Sequence, residues 1–105
     1  MTETEFMALS RQVLDRIEEA LDAADIDVDL DRKGDGILEV EFAGGSKLVI
    51  NSQTPMRQLW VAARSGGFHF APQDERWVDT RSGELLQALL ARVTLEQSGA
   101  AVRFG

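Results

Sequence analysis

The chain has 105 residues and a mass of 11.6 kDa, and its 18 acidic against 11 basic residues leave a formal charge of −7 at pH 7. That length suits one domain, residues 1–105, able to bury roughly 60 to 70% of the surface its unfolded chain exposes. With no Cys there is no disulfide, no thiolate nucleophile and no thiolate ligand for zinc or an iron-sulfur cluster, and a pI near 4.6 argues against nucleic acid, which is gripped through Lys and Arg.

Residues 3–24 read as a helix, because Phe6, Leu9, Val13, Ile17, Ala20, Leu21 and Ala24 recur at three- and four-residue steps. Thr2 and Glu5 have the spacing of a capping box at its start. The period then changes from 3.6 to 2. Ile26, Val28 and Leu30 alternate with Asp27, Asp29 and Asp31, as in a strand with one face on a core and one in water. Gly34-Asp35-Gly36 turns the chain into a second strand, 37–42, and Ala43-Gly44-Gly45-Ser46 into a third, 47–51. Beyond Pro55 a fourth strand spans about 57–63. Gly66-Gly67 introduces a fifth at Phe68-His69-Phe70, and a sixth falls at Arg76-Trp77-Val78. Ser82 can cap a second helix with the stripe Leu85, Leu86, Leu89, Leu90 and Val93, closed near Gly99.

The order α-β-β-β-β-β-β-α predicts an α+β fold, a two-layer sandwich in which an antiparallel sheet of about six strands carries both terminal helices on one face. The other sheet face is left open. Val102 and Phe104, at strand-like spacing in the tail, are expected to pack across the helices. The first residues lack a basic region followed by an apolar one, and no apolar run approaches the ~18 residues of a membrane span, so a cytoplasmic protein is expected.

The charge is not evenly spread. Residues 1–31 hold ten acids and two arginines, a local charge of −8, whereas the other 74 residues carry nine basic and eight acidic groups, a charge of +1. No linker or low-complexity tract separates the two, so the asymmetry belongs to one face of one domain. Asp15, Glu18, Glu19, Asp22 and Asp25 form five like-charge pairs at helical spacing, about 1 to 2.5 kcal/mol of repulsion that Arg11 and Arg16 relieve only slightly. Asp22 and Asp25 also oppose the helix dipole. One reading is a solvated face that protects a sheet edge. The other is a surface of hard oxygen donors for Fe²⁺/Fe³⁺, Mg²⁺, Ca²⁺ or Mn²⁺, doubling as a docking face for a basic partner. Asp25-x-Asp27-x-Asp29 is no calcium loop, because Leu30 and Gly36 stand where such a loop needs Gly and Glu. Aspartates two apart on a strand lie roughly 6.5 to 7 Å from each other, so metal binding should be weak, exposed and multiple.

His69 is the only histidine, which excludes a multi-His metal site, and no nucleophile elbow or phosphate loop is present. An enzyme is not expected. Strand parity places Leu59, Val61 and Ala63 on one face and Trp60 with Gln58 on the other, so Trp60 is either a core aromatic or an exposed interface anchor.

The segment Val49-Ile50-Asn51-Ser52-Gln53-Thr54-Pro55-Met56-Arg57-Gln58-Leu59-Trp60, followed by Gly66-Gly67-Phe68-His69-Phe70, resembles the frataxin family in its bacterial form. The N-x-Q-x-P-x-x-Q-(L/I/V)-W core is specific, and the likeness continues through Gly45-Ser46-Lys47, Trp77 and Arg81-Ser82-Gly83-Glu84. The resemblance implies an α-β sandwich and an iron-binding accessory protein of iron-sulfur cluster assembly, which docks on the cysteine desulfurase and its scaffold protein and modulates cluster formation. The family's acidic ridge falls on Glu18, Glu19, Asp22, Asp25, Asp27, Asp29 and Asp31, and its partner contacts on Asn51, Gln53 and Trp60, with His69 beside them. Iron would be held weakly at the surface, with no cluster carried by the chain itself. Met7 stands where some bacterial members place a metal-binding histidine. A monomer is expected, with iron-driven oligomerisation left open. The competing reading is an acidic docking module for a basic partner with only incidental metal binding. An iron-oxidising enzyme is the weakest alternative, since no inward-facing Glu and Glu-x-x-His set is present.

Overall fold

The computed structural model describes residues 1–105. Helix α1 spans Glu3–Ala23 and opens on the expected capping box, with the Glu5 N–H donating to Thr2 Oγ1 at 3.1 Å and the Thr2 N–H donating to Glu5 Oε1 at 3.0 Å. The bond from the Thr2 N–H, and after it the Thr2 side chain, favours the charged carboxylate and holds the Glu5 pKa below the usual glutamate value.

The buried stripe of α1 is rotated from the one expected. It runs Phe6, Ser10, Leu14, Ile17 and Leu21, while Val13 is half-buried and Leu9 is 38% exposed. At 100° per residue Leu9 and Val13 lie about 100° and 60° from the centre of that stripe. Ser10 can occupy it because its hydroxyl donates to the Met7 carbonyl at 3.1 Å, leaving no unmet donor. Leu9 and Val13 instead line a groove of about 550 Å³ with Trp77, Leu86, Leu90 and Phe104.

Six strands follow: β1 Val28–Lys33, β2 Ile37–Phe42, β3 Lys47–Gln53, β4 Gln58–Ala63, β5 Gly66–Gln73 and β6 Arg76–Asp79. They form one antiparallel meander in chain order. β1 begins at Val28 rather than Ile26, because Phe42 at the end of β2 already pairs with Val28 and nothing remains to pair the two residues before it. β3 runs two residues past the expected end, since Gln53 pairs with Gln58 across the Thr54–Arg57 turn. β5 is longer than its aromatic centre and joins β6 through Asp74 and Glu75, both at positive φ.

Helix α2 spans Leu86–Ser98, and Ser82 is not its cap. Asp79 Oδ1 accepts the Arg81 and Ser82 N–H groups at 2.7 and 3.2 Å, and Ser82 Oγ accepts the Glu84 N–H. Leu85 bridges Val78, so the chain stays extended until Leu86. Gly99 closes the helix at φ 77°, its N–H bonded to the Leu95 carbonyl.

The two helices cover one face of the sheet. Leu14, Ile17 and Leu21 of α1 and Leu86, Leu89, Leu90 and Val93 of α2 pack with Leu38, Val40, Phe42, Leu48, Ile50, Leu59, Val61 and Phe70 in one core. Val102 joins it and Phe104 packs against its edge, which places the tail over the helices as expected. Alternation leaves Glu39, Glu41, Val49, Asn51, Gln53, Gln58, Trp60 and His69 on the uncovered face. No helix is long and apolar enough to cross a membrane.

Candidate functional site

The acidic residues wrap around the β1 edge instead of lying on one face. Glu18, Glu19 and Asp22 project from the last turns of α1, whose final turn contains no basic residue. Asp25 ends the helix in the left-handed region at φ 55°, where glycine is the usual choice. Asp27 is exposed in the connection to β1. Asp29 and Asp31 point away from the helices and lie opposite Glu41 and Glu39 of β2. Two further carboxylates therefore join the acidic surface, legible in the sequence only once the register of β1 on β2 is known.

Cations already occupy part of this surface. Arg32 shares the inward parity of Val28 and Leu30, so its guanidinium turns toward α1. Its Nη1 donates to Asp15 Oδ1 at 2.9 Å and to Glu18 Oε1 at 3.2 Å, with the side chain only 25% exposed. The bond to Asp15 and then that to Glu18 raise the arginine pKa against the opposing effect of burial. Relief of the helix repulsion thus comes from Arg32; Arg11 pairs instead with Asp35 at 3.4 Å, and Arg16 makes no ion pair. Lys33, on the opposite face, holds Glu39 at 2.6 Å, and this contact lowers the Glu39 pKa and raises that of Lys33. Of the seven predicted metal ligands only Glu18 has a cationic partner; Glu19, Asp22, Asp25, Asp27, Asp29 and Asp31 have none within 4.0 Å.

No three His, Asp or Glu side chains converge on a point where they could together hold one metal ion. The donor set is nevertheless chemically suited to a hard cation. Exposed carboxylates offer one or two oxygens at a time, and water completes the shell.

The predicted partner residues do come together. Asn51, Trp60 and His69 form a row across β3, β4 and β5, since Asn51 pairs with Trp60 and Trp60 with His69. Gln53 lies two residues along β3, opposite Gln58. Trp60 is half-buried, although it lies on the uncovered face. Its ring stacks on the His69 imidazole with centroids 4.4 Å apart and planes 10° from parallel, and its Nε1 donates to Gln58 Oε1 at 2.9 Å. A flat aromatic held by two neighbours on an open sheet has little rotamer freedom left to lose on binding.

The frataxin-like domain model matches residues 1–100. The chain belongs to the frataxin family. A relative from Cupriavidus pinatubonensis, named iron-sulfur cluster assembly protein CyaY, is 53% identical over an alignment covering 100% of this chain and 97% of its own. One of the same name from Ralstonia nicotianae is 54% identical, covering 93% and 89%. Among solved structures, the frataxin of Psychromonas ingrahamii superposes with a TM-score of 0.94 at 35% identity, covering 100% of this chain and 99% of that one. A trimeric frataxin from the yeast Saccharomyces cerevisiae, complexed with ferrous iron, matches at a TM-score of 0.62 and 30% identity over 85% and 80%. The frataxin sandwich is thus the architecture deduced from the strand and helix order, reached independently by sequence and by shape.

Proposed function

We propose that this frataxin is an accessory protein of iron-sulfur cluster assembly that carries weakly held iron on its acidic edge and docks on the cysteine desulfurase and its scaffold through Asn51, Gln53, Trp60 and His69. The reading is carried by one juxtaposition: an edge of unpaired carboxylates beside an open sheet face with a clamped tryptophan, in a chain whose full-length relatives are named for cluster assembly. Iron here is cargo. Glu19, Asp22, Asp25, Asp27, Asp29 and Asp31 would hold it one or two at a time, with Glu18 shared with Arg32.

The chain's own part in the process is electrostatic and positional. Unpaired carboxylates draw a cation or a basic protein surface toward the β1 edge, and the tryptophan row supplies the apolar centre of the contact. Sulfur transfer and cluster building belong to the partners, and the accessory protein acts as a monomer on their complex.

A pull-down with the cysteine desulfurase, with and without Fe²⁺ under anaerobic conditions, tests this. Capture that depends on Trp60 and strengthens with iron is the expected result; capture by neither form refutes it. A second reading has a specific observation behind it. Because no three carboxylates converge, the edge could serve only to meet a basic protein. Replacing Glu18, Glu19 and Asp22 by Lys would then abolish capture in metal-free buffer, and full capture by that variant would eliminate this reading.

A further inference from the structure

Trp60 is held from two sides by groups of different kinds. Gln58, two residues earlier on β4, accepts its indole N–H at 2.9 Å and carries no titratable proton. His69, opposite Trp60 in the β4–β5 register, lays its imidazole flat on the indole face, with centroids 4.4 Å apart and planes 10° from parallel. Histidine is the one side-chain type that ordinarily changes charge between pH 5 and 8, and His69 is the only one in a chain without Cys. Its neighbours on the uncovered face are uncharged. β4 presents Gln58, Trp60 and Ala62, and β5 itself Gly67 and Ala71. On the other side lie Val78 and Thr80, with the Thr80 N–H donating to the His69 carbonyl. The charged groups around this patch are Arg81, next after Thr80, Arg76, opposite Gln73 further along β5, and Glu39 and Glu41 of β2, beyond β3 and β4. Arg64, in the β4–β5 turn, is bonded to the Glu96 carbonyl of α2. None of these is of a type that changes charge between pH 6 and 8.

We infer that His69 acts on docking through its charge: its imidazolium form clamps Trp60 in the orientation that the partner meets, so the docked complex favours the protonated protein. This inference rests on the docking reading proposed above and specifies the regulation of that same face. It makes His69 a positioning residue for Trp60. A neutral imidazole on an indole gains dispersion alone, whereas an imidazolium adds the attraction of a cation for the ring face. The two rings are already stacked, so protonation strengthens the contact without any rearrangement. A tryptophan held more firmly loses less freedom when the partner covers it, and the protonated form therefore binds more tightly. Because such coupling is reciprocal, docking near neutral pH draws a fraction of a proton onto the protein.

Affinity for the complex of cysteine desulfurase and scaffold, measured anaerobically with Fe²⁺ present by fluorescence anisotropy at pH 6 and pH 8, is compared for the wild type, His69→Gln and His69→Arg. Comparison between variants at each pH removes the titration of the partners and of the iron. The advantage of the wild type over His69→Gln should grow about two- to fivefold from pH 8 to pH 6. His69→Arg carries a planar cation at both pH values, so its advantage over His69→Gln at pH 8 should match that of the wild type at pH 6. In the free, isotope-labelled wild type the Trp60 indole N–H resonance should move along the same titration curve as the His69 ring protons, and stand still in both variants. An advantage over His69→Gln that does not change with pH, or His69→Arg binding no better than His69→Gln at pH 8, would overturn the role of the charge. A Trp60 resonance indifferent to the His69 titration would overturn the clamp. Absence of binding by all three proteins at both pH values would overturn the docking reading itself, and this inference with it.

Discussion

Replacing Asp25 by glycine should stabilise the protein, and three substitutions at this position separate the two causes. Asp25 follows the helix C-cap at φ 55° and is exposed, with no cation beside it. A side chain in the left-handed region costs about 1 to 2 kcal/mol, toward the low end for Asp and Asn, whose short polar groups tolerate it. Glycine removes that cost but gives back about 0.4 to 1 kcal/mol through the greater freedom of its unfolded chain. Removing the negative charge from a helix C-terminus contributes a further ~0.3 to 1 kcal/mol at low salt. Asp25→Asn should therefore gain only the charge component, and Asp25→Gly about 0.3 to 1.6 kcal/mol in all, a rise in Tm of roughly 1 to 10 °C for a chain of this size. Asp25→Ala relieves the charge but keeps a Cβ at positive φ, and should fall near the wild type. Urea titrations at low salt and in 1 M NaCl provide the assay. At 1 M the screening length is only about 3 Å, so the advantage of Asn should vanish while that of Gly over Asn persists. Alanine matching glycine at either salt concentration would refute the backbone part of the reasoning, and no gain for Asn at low salt would refute the electrostatic part.

Millimolar Mg²⁺ or Mn²⁺ should raise Tm by relieving the unpaired carboxylates; at ten times the dissociation constant the gain is roughly 1.4 kcal/mol, and a calorimetric scan without any shift would contradict the charge distribution. The β5–β6 turn places Asp74 and Glu75 both at positive φ, so Asp74→Asn with Glu75→Gly, the pair favoured by such hairpins, should add about 1 kcal/mol in urea unfolding. Thr94 is fully buried and its hydroxyl has no partner, so Thr94→Val should be stabilising by about 1 kcal/mol, which thermal denaturation would register. Glu5 and Glu39 have pKa values lowered by Thr2 and Lys33 respectively, so their contributions are complete above the ordinary value of 4.5 and are lost as pH falls through the lower folded values. Glu39→Gln should therefore lose Tm less steeply than the wild type on going from about pH 5 to about pH 3, and parallel profiles would disprove the Lys33 pairing.

The correspondence between sequence and structure is uneven for identifiable reasons. The capping box of Thr2 and Glu5, the six strands and the Gly99 stop were legible because each depends on residues close in the chain. Ser82 misled because a hydroxyl ahead of an apolar run resembles a cap, whereas Asp79, buried three residues earlier, draws that segment into its own turn. The α1 stripe was displaced because Leu9 and Val13 are as apolar as Leu14, and only the position of the sheet decides which of them meets the core. Parity separated Trp60 and Gln58 from Leu59 and Val61 but left open which set meets the helices; the packing decides that, and the half-burial of Trp60 by His69 and Gln58 depends on cross-strand register. The partner of Arg32 was missed for a similar reason. Its inward parity was readable, but Asp15 and Glu18 lie 17 and 14 residues earlier and meet it only when α1 lies back across β1.

By itself the sequence determined the order of elements, the antiparallel sandwich, the family and the concentration of acid in the first 31 residues, because local periodicity, turn chemistry and composition need no knowledge of distant contacts. Only the tertiary structure decided which carboxylates are free. Charge along a chain is additive, but pairing depends on which side chains approach within a few ångströms. In this fold that is set by the packing of α1 on the sheet, which gives Glu18 to Arg32 and leaves Glu19 exposed to solvent.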